Sequence, residues 1–147
     1  MRITITAIMM LTGSLLASAQ KCKKCDMNAH VDISDRVQKN TYSQIQSFLC
    51  TFDEQCRSNV EFSEFSNEHL FKVIEAHPQV FIQVLQNVDD VKQRLILDEL
   101  EVPIHDGFDL EVIYAKLSQI EESNAMLEKV KASIGSAVRK SGAEIKE

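Results

Sequence analysis

Glycine and proline are too scarce in this chain for a fold built of many short strands. Beyond residue 19 the only ones are Gly107, Gly135, Gly142, Pro78 and Pro103, and tryptophan is absent. Strand-rich domains turn every few residues and use these residues to do so. The pattern therefore predicts an all-α fold: a compact array of short helices followed by one long C-terminal amphipathic helix. A four-helix bundle is the alternative, and no segment repeats clearly enough to establish a solenoid.

Ser34 or Asp35 is placed to cap a first helix with Val37, Ile45, Phe48 and Leu49 on its apolar face, ending near Cys50. Periodicity then lapses as far as Ser66, which reads as a packed irregular connection that must still bury Phe52, Val60, Phe62 and Phe65. Ser66-Asn67, with Glu68 behind it, reads as a helix start leading to Leu70, Phe71, Val73 and Ile74. His77-Pro78 marks the next joint, because a proline pushes its predecessor out of the helical region and itself suits a first helical position. Phe81, Val84, Leu85, Val88, Val91 and Leu95 keep helical spacing, with a break around residues 87–90. The run Val80 to Leu85 is strand-like in composition but lies inside this longer helical pattern.

Pro103 to Gly107 forms a turn, and Asp106 or Asp109 caps the last helix, over about residues 109–140. Leu117, Ile120, Asn124, Leu127, Lys131, Ile134 and Val138 lie along one heptad-like seam, interrupted by the polar Asn124 and Lys131. From Asp109 to Val138 such a helix is roughly 45 Å long. Its far end then either projects beyond the shorter helices or bends back near Gly135. A projecting seam offers itself to a protein partner or a second copy; a docked one is core.

The first 19 residues read as a cleavable export signal: Arg2, the apolar stretch Ile3 to Leu16, and the small residues Ala17-Ser18-Ala19. The domains expected are this signal (1–19), a cysteine-bearing arm (20–31) and one helical domain (32–147). Cleavage after Ala19 makes a secreted or periplasmic protein. The apolar stretch is short of the about 20 residues a spanning helix needs, so no stable membrane anchor is expected. Gln20 and Lys21 before Cys22 argue against lipid attachment there. Cleavage removes Arg2 and no acidic residue, which takes the net charge from −6 to −7. That balance argues against nucleic acid or an anionic membrane as partner, since both select clustered positive charge.

Cys22, Cys25, Cys50 and Cys56 in an exported chain are first of all disulfide candidates. Local pairing, Cys22 with Cys25 and Cys50 with Cys56, is the preferred arrangement. The second bond requires the helix to break near residues 51–53, because six helical residues separate α-carbons by about 9 Å. Crossed or nested pairings staple the arm to the region after the first helix instead. Lys23 and Lys24 between the arm cysteines favour a thiolate, which gives a redox reading. Cys22, Cys25, Met27 and His30 also form a soft-ligand set of the kind that holds copper or zinc; otherwise no cofactor is expected.

The histidines show no metal pair at helical spacing and read as capping or surface residues, with His77 near a helix end. His105-Asp106 sits in the Pro103 to Gly107 turn with no nucleophile beside it in sequence. Glu61, Glu64 and Glu68 read as a solvated face. No nucleophile elbow or glycine-rich phosphate loop occurs, so no catalytic residue is assigned, although triads do assemble from distant positions. The expectation is an exported, non-enzymatic helical binding protein; the alternative is a thiol-redox or soft-metal protein using Cys22 and Cys25.

Overall fold

Every regular element among the described residues is helical. The computed structural model describes residues 23–34, 37–122 and 124–143, and among them there are seven α-helices and no strand. The helices are α1 (Met27–Ser34), α2 (Tyr42–Leu49), α3 (Val60–Ala76), α4 (Pro78–Leu85), α5 (Asp90–Leu100), α6 (Leu110–Ser118) and α7 (Ala125–Lys140). Two 3-10 turns, Val37–Lys39 and Glu54–Cys56, flank α2. The expected signal, residues 1–19, lies outside the described residues.

Short polar side chains set where the helices begin. Thr41 and Gln44 form a reciprocal cap on α2: the Thr41 backbone N–H donates to Gln44 Oε1 at 2.9 Å, and the Gln44 N–H donates to Thr41 Oγ1 at 3.4 Å. Asn59, Asp89 and Asp109 accept from Phe62, Lys92 and Val112 at 3.2, 3.0 and 3.0 Å, starting α3, α5 and α6. His77 and Pro78 make the joint their sequence predicts. The His77 backbone closes α3 while Pro78 opens α4.

Three boundaries differ from expectation. Part of the supposed arm is helix α1, because Ile33 and His30 face the interior. The first core helix is shorter than expected, since Thr41 caps α2 where Ser34 or Asp35 was expected to. The irregular connection ends early: α3 starts at Val60, so Ser66 and Asn67 are buried inside a helix instead of starting one.

The long last helix is the largest correction. Residues 109–140 form an α6–α7 hairpin broken around residues 119–124. Asn124, expected as a polar interruption of one seam, is the N-cap of α7 and accepts from the Leu127 N–H at 2.9 Å. Helix α7 passes through buried Gly135 without ending. It ends at Lys140 with Ser141 as its cap, and the next residue, Gly142, has a left-handed φ of 80°. There the Gly142 and Ala143 N–H groups donate to Arg139 and Val138 carbonyls, a cap that satisfies the last turn.

One apolar cluster joins these elements, from Ile33 on α1 to Val138 on α7. Helix α3 lies at its centre, in contact with α1, α4, α5 and α6. Phe48, Phe71 and Phe81 are among its fully buried side chains. Of the expected seam, Leu117, Leu127, Ile134 and Val138 are buried, and Ile120 and Lys131 are partly so. The seam is core.

Candidate functional site

The sulfur chemistry gathers where the arm crosses the end of α2. Thr51 turns the chain as α2 ends, its hydroxyl donating to the Phe48 carbonyl at 2.7 Å. Its own carbonyl accepts from the Cys25 N–H at 3.1 Å, laying the arm alongside residues 51–56. Lys24 pairs with Asp53 at 2.8 Å. The hydrogen bond from Lys24, then that from the Gln55 N–H, hold the Asp53 carboxyl below its usual range. Asp53 also caps the turn that carries Cys56.

This placement overturns the local pairing. Cys56 bonds to Cys25, 31 residues away, with α-carbons 5.6 Å apart. The helix does break after Cys50, as a Cys50–Cys56 bond would require, but the arm occupies the space beside Cys56. Cys50 is also disulfide-bonded; Cys22 lies outside the described residues. Cys25 is half-buried and Cys56 buried. Cys25 has a φ of 53°, the only positive value at a non-glycine among the described residues.

Of the soft-ligand set, Cys22 lies outside the described residues, and Cys25, Met27 and His30 are not brought together. The Cys25 sulfur is bonded to Cys56, Met27 is exposed, and His30 points into the interior toward His69. Among the described residues, no group of three or more histidine, cysteine and acidic side chains is arranged to hold a metal.

The buried histidines are the feature missed in the sequence. His30 on α1 and His69 on α3 were expected as capping or surface residues, and His30 also as a soft-metal ligand, yet they are 2% and 6% exposed. Their Nδ1 atoms are 3.3 Å apart. Phe48 and Phe62 meet His30 edge-on at 5.1 and 4.9 Å, and Phe65 stacks on His69 at 6.1 Å. Ser66 Oγ lies 3.5 Å from His30 Nε2. Burial, and then the charge of His69, pushes the His30 imidazole down to about 4. Burial and then Lys72 lower His69, against the pull of Glu68.

Serine, histidine and histidine in a row resemble a hydrolytic relay in outline. The cavity beside Ser66 and Cys56 is lined by neither histidine and measures about 20 Å³, room for one water. His105 and Asp106 line an open groove of about 580 Å³ with Asp109 and Ser141, and both are exposed. His77 donates from Nε2 to the Val37 carbonyl, tying the end of α3 to the turn after α1. Glu61 and Glu64 are exposed, and Glu68 pairs with Lys72. No helix among the described residues is long and apolar enough to cross a membrane.

Compared with protein-family models, curated proteins and solved structures, the chain matches none.

Proposed function

We propose that the protein is an exported thiol–disulfide domain whose reactive segment is the arm around Cys25. The observation that carries this reading is the bond from Cys25, a half-exposed residue in a left-handed backbone, to buried Cys56. Such a conformation costs a residue with a side chain about 1–2 kcal/mol, and strained residues cluster where chemistry or switching occurs. Opening the bond frees Cys25 to relax.

An external thiolate attacks the sulfur of the less buried residue, Cys25. The Cys25–Cys56 bond breaks, a mixed disulfide forms on Cys25, and Cys56 leaves as a thiolate that takes up a proton. The resulting thiol has an acceptor nearby, since the Thr51 carbonyl lies 3.7 Å from Cys56 Sγ. A second external thiol then resolves the mixed disulfide, leaving Cys25 reduced and the external thiols oxidised. Lys23 and Lys24 favour a thiolate on the arm, tempered by their ion pairs with Asp26 and Asp53. The export-like first residues support the reading, because disulfides persist in oxidising compartments.

The test is equilibration of exported protein in glutathione buffers of graded potential, followed by alkylation and intact-mass measurement. Reversible opening of Cys25–Cys56 near about −200 mV, within the range of disulfide-exchange proteins, is the expected result. Resistance to below about −300 mV marks a structural staple and overturns the thiol reading. The same spectra test export, since cleavage after Ala19 leaves Gln20 as the first residue.

Partner binding or self-association through the last helix is the second reading, and it has to use a different surface from the one expected. With Leu127, Ile134 and Val138 in the core, only the outer face of α7, including Glu128, Lys129, Ala132 and Arg139, is open. A monomer at all concentrations in sedimentation velocity removes self-association.

A further inference from the structure

Helix α1 has only eight residues, too few to be stable alone, so its place depends on what it touches. Ile33 enters the core, and the Ile33 carbonyl accepts from Asn40 Nδ2 at 2.9 Å. The other inward side chain, His30, meets the rings of Phe48 and Phe62 edge-on, and His30 and His69 face each other. Their ring centroids are 5.5 Å apart, little less than the 3.3 Å nitrogen gap plus two ring radii, so the nitrogens meet head-on. One Nδ1 donates and the other accepts while both rings are neutral. A single added proton buries a charge; with both rings protonated, two N–H groups and two charges face each other.

We infer that the His30–His69 contact is an acid-operated latch: it clasps α1 to α3 at neutral pH and, on acidification, releases α1 to swing on its Cys25–Cys56 tether. The surroundings oppose charge more than they support it. Helix α2 presents the Phe48 ring and α3 the Phe62 and Phe65 rings. Asp26, just before α1, favours a charged His30. On α3, Glu68 favours a charged His69 and Lys72 disfavours it, and these two side chains pair with each other. Among the described residues, no carboxylate is hydrogen-bonded to either ring.

The sign follows from the lowered values. With α1 docked, His30 titrates near about 4 and His69 below its ordinary value; with α1 released, both return toward about 6.5. The docked form is therefore fully favoured above about 6.5 and loses that advantage as the pH falls. Each histidine shifts the balance toward release by up to about tenfold per pH unit, until the docked ring itself takes a proton.

Hydrogen exchange on the exported protein between pH 7 and 4.5, corrected for intrinsic rates, tests the latch. Amides of Met27 to Ser34 are expected to lose at least about tenfold of their protection while α3 and α7 keep theirs. His69→Gln, which hydrogen-bonds without titrating, is expected to reduce the pH slope. NMR titration of the wild-type rings, which needs no variant to fold, is expected to show both histidines protonating below the usual range. Protection of α1 that stays flat, α1 and α3 opening together, or rings that titrate ordinarily overturns the inference.

Discussion

Asn67 does more joining than its position in a helix suggests. Fully buried on α3, it donates from Nδ2 to the Glu99 and Val102 carbonyls at 3.3 and 3.1 Å and accepts from the Ile104 N–H at 2.9 Å. One amide thus fastens the central helix to the end of α5 and the turn beyond it. Asn67→Ala leaves those backbone groups without their partner and is expected to cost about 2–3 kcal/mol, read as a lower urea midpoint. In the sequence Asn67 looks like a helix start, and His69 like a surface residue. Local spacing cannot show otherwise, because the partners of Asn67 lie 32 to 37 residues away and His69 meets His30 across 39. What distinguishes these residues is burial, and burial is decided by the packing of distant helices.

At the scale of elements, the readable boundaries were those written in a few adjacent residues. The His77-Pro78 joint, the cap at Asp109 and the break between α4 and α5 all belong to this kind. The α6–α7 break is harder to see, because the apolar spacing of Leu117, Leu127, Ile134 and Val138 runs on as if the helix were continuous. A hairpin of two helices can bury both apolar faces on one core, so spacing alone does not separate it from a single rod. Asn124 does, through its cap. Asn124→Ala is expected to destabilise the protein by about 1 kcal/mol. If α6 and α7 were one rod, the same change would improve helix propensity and raise the thermal midpoint; a calorimetric scan distinguishes the two.

For the whole molecule, the cysteines connect regions that the sequence keeps apart. The use of Cys25, Cys50 and Cys56 in disulfides was legible from the cysteine number and the export-like first residues, but the pairing was not, since it depends on the arm crossing the end of α2. With Cys25 bonded to Cys56 and Cys50 also disulfide-bonded, Cys22 is the fourth cysteine. Peptide mapping without reduction is expected to recover Cys22 linked to Cys50 beside Cys25 linked to Cys56. Replacing Cys25 and Cys56 together by serine releases a 31-residue closure and is expected to cost about 3–4 kcal/mol in the chain-entropy account.

The Cys25–Cys56 bond also makes the segment between them a covalent ring. Lys39 lies inside it, exposed at the end of a short 3-10 turn. A trypsin-like protease cutting after Lys39 would open that ring without dividing the molecule. The nicked protein would migrate as one species until a reductant separated it into two, so a cut here would alter how α1 is held without shedding it.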